Sequence, residues 1–155
     1  VRTMPNTPSL LGAGATGLYA NERVDADDRA LAESLMSAVG LAAWIPDEAL
    51  MDAVTAVSGS GPAYVFLLSE ALQAAGRAQG LDAGTARDLA NQTLLGAARM
   101  LAESGEEAAT LRQRVTSPGG TTQAALESFE ADGFRDIVAR AVDAATRRGR
   151  ELAAR

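Results

Sequence analysis

Hydroxyls, amides and glycines carry the chemistry this sequence can offer. The stretch Ser117-Pro118-Gly119-Gly120-Thr121-Thr122 sets hydroxyls and flexible backbone N–H groups beside a helix start. Oriented dipoles of that kind can hold a small carboxylate, although a plain capped turn would use the same letters. Ser58-Gly59-Ser60-Gly61-Pro62 is a tight loop feeding another helix N-terminus. Exposed N–H groups there could hold an anion, or the glycines could simply let backbones pack closely. Met4-Pro5-Asn6-Thr7-Pro8 pins an amide and a hydroxyl between two prolines, either for recognition or for a turn. Gly12-Ala13-Gly14-Ala15-Thr16-Gly17 matches G-x-G-x-x-G by letters. That fingerprint requires a strand directly before it and a helix directly after it. Pro5 and Pro8 interrupt such a strand, so these read as turn glycines. Glu106 and Glu107 read as solvated helix caps, and Arg147-Arg148-Gly149-Arg150 as a basic helix end favoured by the helix dipole.

What is missing narrows the chemistry further. The 155 residues include no Cys and no His, which removes thiolate nucleophiles, the commonest metal ligands and the usual base for a serine nucleophile. No metal site is expected. All 14 basic residues are Arg, so no lysine Schiff base and no Walker A lysine is available. The formal net charge of −6 argues against a generic nucleic-acid or anionic-membrane surface. No signal peptide is recognisable, and no unbroken apolar run reaches the ~18 residues of a membrane span. Val1 is not an initiator Met, and Val1-Arg2-Thr3-Met4 reads as the end of a strand, so the sequence reads as a piece of a longer protein.

The elements that must position these groups are mostly helices. Hydrophobic residues make up 47% of the chain but aromatics only 4%, which favours close helix packing through Ala, Leu and Val. Residues 1–23 read as an extended arm or edge strands. From residue 24 onwards the pattern is helical. Asp25 caps a helix over about 26–39, which Gly40 stops. Leu41 to Ile45 is a strand or a buried connector. Asp47 caps a short helix ending near Val57. A long helix over about 62–79 starts on Pro62, and its run Tyr64-Val65-Phe66-Leu67-Leu68 implies burial nearly all round or an oligomer interface. Asp82 begins a helix over about 83–103 with an apolar stripe from Ala86 to Leu101. Ser104-Gly105-Glu106-Glu107 has capping-box spacing and predicts a helix to about Val115. Thr121 or Thr122 starts a helix to about Asp132, and the last helix covers about 135–153. The fold class expected is an all-α bundle.

At these motifs the chain resembles the C-terminal portion of the pyrroline-5-carboxylate reductase family. The resemblance rests on Met4-Pro5-Asn6-Thr7-Pro8, on Asp52-Ala53-Val54-Thr55 leading into Ser58-Gly59-Ser60-Gly61-Pro62-Ala63-Tyr64, on Leu94-Leu95-Gly96-Ala97-Ala98, and on Val115-Thr116-Ser117-Pro118-Gly119-Gly120-Thr121-Thr122. They occur in the family's order and spacing, across essentially the whole chain. The resemblance implies a Rossmann domain upstream that binds NADPH or NADH, followed by a helical domain that interlocks with a second subunit. Residues 1–23 would be the end of the first domain and a linker, and 24–155 the helical dimerisation and substrate-binding domain.

The same resemblance implies a reaction and its residues. The family transfers a hydride from the nicotinamide to the C=N carbon of Δ1-pyrroline-5-carboxylate, giving L-proline. Ser117, Gly119, Gly120 and Thr122 would bind the substrate, with Thr122 nearest the ring nitrogen as the catalytic hydroxyl. Asn6, Pro8, Ser60 and Gly61 would lie on the cofactor side. The substrate loop of one subunit would complete a site on its partner's cofactor domain, in a homodimer that assembles further, often into a decamer, in the cytoplasm. The isolated chain, without the fingerprint, is expected to be inactive. Two alternatives remain: a stand-alone helical oligomerisation module, and a related imine or β-hydroxyacid reductase. The latter typically carries a catalytic Lys that this sequence lacks.

Overall fold

Asn6, between two prolines, turns the chain out of a first short strand and into the second, and a sheet forms around that reversal. Strand β1 (Arg2–Met4) leads through a 3-10 turn (Thr7–Leu11) to β2 (Gly14–Tyr19), and α1 (Ala26–Ser37) crosses to β3 (Gly40–Trp44). The computed structural model describes residues 1–153, so the last two residues of the expected 24–155 domain lie outside the described residues. The sheet order is β1-β2-β3. β1 runs antiparallel to β2, with Thr3 opposite Leu18, and β2 runs parallel to β3, with Thr16 opposite Ala42. Leu18, fully buried, sits on the central strand, where both edges are covered.

The glycines of the G-x-G-x-x-G letters are explained by this sheet. Gly12 closes the 3-10 turn at φ 69° in the left-handed region. Gly14 and Gly17 belong to β2 rather than to a turn, which corrects the sequence reading for those two positions. A Cβ on Gly17 would stand 2.6 Å from Cγ1 of Val54, so the strand needs a bare backbone where the helix region packs on it. Gly40, expected as a helix stop, opens β3 instead at φ 147°, against the backbone of Gly14. The segment Leu41 to Ile45 is therefore the strand alternative.

The chain divides into two units, with breaks after Tyr64 and after Ile137. The first comprises Val1–Tyr64 and the chain from Val138 onwards. In it, the side chain of Asp25 accepts from the Asp28 N–H and caps α1. The Trp44 indole N–H donates to Glu33 at 2.8 Å, and the Arg29 guanidinium lies 4.2 Å over the Trp44 ring, which ties α1 to β3. Asp47 caps a 3-10 turn (Glu48–Leu50) that runs into α2 (Met51–Val54) and a π-helical turn (Thr55–Gly59). Met51 and Ala56 are buried there. The later part of α7 (Phe134–Ala153) approaches α2 closely, because a Cβ on Gly149 would be 2.7 Å from Oδ1 of Asp52.

The second unit, Val65–Ile137, holds most of α3 (Gly61–Ala78), then α4 (Ala83–Glu103), α5 (Ala108–Arg114) and α6 (Thr121–Ala131). Asp82 caps α4 through the N–H groups of Gly84 and Thr85. These bonds, led by one from the Thr85 side chain, hold its carboxyl below the ordinary aspartate range. Gly76 faces Leu81 and Ala86 without room to spare, and Ser69 Oγ donates to Asn91 Oδ1 at 2.7 Å, joining α3 to α4. The Phe129 and Phe134 rings meet tilted at 58°, centroids 5.3 Å apart, across the α6–α7 turn, beside the Arg135–Glu130 ion pair. That pair lowers the glutamate's pKa and raises the arginine's.

One sequence expectation fails here for a physical reason, and another resolves to one of its alternatives. Ser104 caps no helix start. It ends α4, because Gly105 takes φ 70°, and α5 begins only at Ala108 without a side-chain cap. The apolar start of α3 is not buried within the chain: Phe66 is 61% and Leu67 66% exposed. Of the two readings of that run, an oligomer interface is the one compatible with the structure. The apolar stripe of α4 behaves alike, with Ala86 and Ala90 buried but Leu89 and Leu101 exposed.

Candidate functional site

The segment before α3 is one wide turn held by side chains from elsewhere. Ser60 N–H donates to the Thr55 carbonyl, five residues back, which sets the π-helical register. In an α-helix that N–H would have gone to Ala56. The Ala56 carbonyl is thereby freed, and the Tyr64 hydroxyl donates to it at 3.0 Å. Pro62 has no N–H to give the Ser58 carbonyl four residues back. Asn6 Nδ2 donates to that carbonyl at 3.0 Å, while Asn6 Oδ1 accepts from the Ala15 N–H at 2.9 Å. Thr55 and Ser58 turn their hydroxyls back onto the Met51 and Val54 carbonyls. The site residues expected from sequence are thus used unequally. Asn6 is a brace with both ends engaged. Pro8 lies in the 3-10 turn and its carbonyl accepts from Ala13 N–H. Ser60 and Gly61 form the rim of the turn, and a side chain begun at Gly61 would meet nothing within 4 Å. The Ser60 N–H is already bonded to the Thr55 carbonyl and is not among the N–H groups of this loop that could hold an anion.

The second group lies in the other unit, between α5 and α6. Thr116 closes α5, its hydroxyl donating to the Arg112 carbonyl at 2.7 Å. The loop then turns at Gly119, at φ 70°, whose N–H donates to Gln123 Oε1 at 2.8 Å. Gly120 is the N-cap residue of α6 and brings no capping side chain, so the first-turn N–H groups of that helix are left open. Gly120 N–H donates to the Ser117 carbonyl, and the Ser117 hydroxyl lies where a Cβ on Gly120 would need to be. Ser117, Gly119, Gly120 and Thr122 therefore share one short loop and helix start. The Thr121 and Thr122 hydroxyls take no part in its internal hydrogen bonds. A plain side-chain cap does not account for the sequence here, because Gly120 supplies none.

Sequence reasoning missed three contributors. Tyr64 and Pro62 appeared in the Ser58–Tyr64 motif without a hydrogen-bonding role, and Gln123 not at all. The signal for Pro62 was present: a proline four residues after Ser58 leaves a carbonyl that something must satisfy.

Among the described residues no group of three or more His, Cys, Asp or Glu could hold a metal, and no helix is long and apolar enough to cross a membrane. The apolar faces left open on α3 and α4 mark a helical association domain. Residues 48–152 match the family model described as pyrroline-5-carboxylate reductase dimerisation. The chain is 58% identical over 153 residues to a pyrroline-5-carboxylate reductase of Pseudomonas aeruginosa, covering 99% of this chain and 56% of that protein. It is 43% identical to the enzyme of that name from Pisum sativum, covering 98% and 55%. A solved pyrroline-5-carboxylate reductase from Coxiella burnetii superposes with a TM-score of 0.95 at 52% identity, over 97% of this chain and 56% of that one. A Plasmodium falciparum pyrroline carboxylate reductase, solved with NADP bound, superposes at 0.85 and 36% identity, over 94% and 59%. The chain belongs to the pyrroline-5-carboxylate reductase family, and it spans about half the length of the relatives it matches.

Proposed function

We propose that this chain is the dimerisation and substrate-binding part of an enzyme that reduces Δ1-pyrroline-5-carboxylate to L-proline with NADPH or NADH, the last step of proline biosynthesis. The observation that carries the reading is the α5–α6 loop, which has hydroxyls and open helix-start amides and no titrating side chain. Such a loop suits a small ring acid whose carboxylate seeks N–H and O–H donors. Ser117, Gly119 and Gly120 hold that carboxylate and the ring edge. Thr122 offers its hydroxyl to the ring nitrogen, as hydrogen-bond donor or proton relay.

An imine carbon that accepts hydride needs no protein nucleophile, so the absence of His, Cys and Lys is no obstacle. The nicotinamide, when bound, supplies the hydride. The residues present fit one edge of such a cofactor. Gly61 leaves open space at the rim, Ser60 stands beside it, and Asn6 and Pro8 lie in the segment that braces it. The glycines of the G-x-G-x-x-G letters do not fit a diphosphate, because they are spent on a turn and a strand. On this reading the dinucleotide fold proper lies upstream, with residues 1–23 as its end and linker and 24–155 as a domain that is helical apart from β3. In the assembly we propose, a homodimer and higher oligomers such as a decamer in the cytoplasm, the loop of one subunit serves the cofactor domain of its partner. Neither nucleic acid nor membrane has a role in it.

The test joins this chain to the cofactor domain of the Pseudomonas aeruginosa relative and follows absorbance at 340 nm. Oxidation of NADPH or NADH that depends on pyrroline-5-carboxylate is expected. A folded dimeric chimaera that binds the dinucleotide and shows no such oxidation would remove the reading.

A further inference from the structure

The turn before α3 is built from two carbonyls that its own backbone cannot satisfy. The π register moves the Ser60 N–H from Ala56 to Thr55, and Pro62 withholds the N–H that Ser58 would otherwise receive. Two side chains make good both losses: the Tyr64 hydroxyl on Ala56, and the Asn6 amide on Ser58. We infer that Tyr64 and Asn6 are positioning residues that hold the Ser60–Gly61 rim in the wide register, and so set the dinucleotide affinity of the site. The inference rests on the functional reading above, in which that rim faces the cofactor.

The chemistry favours bracing over a direct role for either group. Asn6 already uses its oxygen on Ala15 and one N–H on Ser58. The Tyr64 O–H has a single proton, and it is committed to Ala56. π-turns are rare insertions in α-helices and recur at functional sites. Without the hydroxyl the Ala56 carbonyl is left without that donor, and the segment relaxes towards α register, turning Ser60 and Gly61 with it.

Tyr64→Phe removes only the oxygen, and Asn6→Asp replaces the donor to Ser58 with a charged carboxylate oxygen while keeping an acceptor for Ala15. Hydrogen exchange on the 155-residue chain should show the peptide covering 55–61 exchanging about three- to tenfold faster in each variant, with the association state unchanged. In the chimaera, KM for NADPH or NADH should rise by a similar factor, with KM for pyrroline-5-carboxylate within about twofold and the pH profile of kcat unmoved. Pro62→Ala supplies a new N–H to Ser58, so in that background Asn6→Asp should change exchange by less than about twofold. Unchanged exchange in Tyr64→Phe would overturn the inference. So would faster exchange with an unchanged dinucleotide KM, and a shifted pH profile would assign Tyr64 to proton transfer instead. An inactive wild-type chimaera would count against the functional reading before any variant was made, whereas an active one without variant effects would count against the brace alone.

Discussion

Thr122 is the residue on which the proposed chemistry turns, and its surroundings make it a clean probe. It is half-buried, and its hydroxyl takes no part in the hydrogen bonds that shape the α5–α6 loop. Thr122→Ala in the active chimaera should therefore lower kcat/KM for pyrroline-5-carboxylate by about 10- to 100-fold, the scale of one hydrogen bond to a charged or reacting group. The melting temperature should change by no more than about 2 °C, since surface-type substitutions away from bonded features cost little. Steady-state kinetics beside a thermal melt would check both. Most residues of this loop were legible in the sequence, because Pro118-Gly119-Gly120 announces a turn and Thr121-Thr122 a helix start. Asn6 was legible as a pinned amide but not in its role, since its two partners lie 9 and 52 residues away. Long-range hydrogen bonds leave no local pattern.

Elements were legible where local chemistry decides them and misread where two local signals compete. Asp25, Asp47 and Asp82 all cap as read, each accepting from N–H groups two or three residues on. Ser104-Gly105-Glu106-Glu107 held two signals, a capping box and a glycine stop, and the glycine won by entering the left-handed region. The strands around Gly14, Gly17 and Gly40 were obscured because glycine reads as a turn until the packing that requires it is seen. The Asp82 cap gives a prediction at this scale. Its carboxyl is held below the ordinary aspartate range, so the charged form is the one the folded state favours. The stabilisation is fully present above the unfolded-state pKa of about 4 and is lost as pH falls through the lower folded-state value. Asp82→Ala should lower the melting temperature by about 2–5 °C at pH 7, and the gap from wild type should close towards pH 3. Melts across that pH range would test it.

At the scale of the whole molecule, the unit Val65–Ile137 has too little interior of its own. Among its described residues only Ala86, Ala90 and Leu111 are buried apolar side chains, while Phe66, Leu67, Leu89, Leu95 and Val115 are more than half exposed. Three buried side chains, two of them Ala, cannot offset the conformational entropy of ordering a unit that size. In the assembly proposed above a second copy covers the open faces of α3 and α4 and supplies the missing core, a reading supported by the match of residues 48–152 to a dimerisation family model. The sequence carried this as the alternative reading of Tyr64 to Leu68, but periodicity alone does not distinguish an interior from an interface.

Sedimentation equilibrium on the 155-residue chain, with circular dichroism on the same samples, tests that claim most directly. At micromolar concentration a helical species of at least twice the 15.9 kDa protomer mass is expected, losing helicity as dilution drives it to monomer. A 15.9 kDa monomer that keeps full helicity and melts cooperatively at every concentration would contradict it.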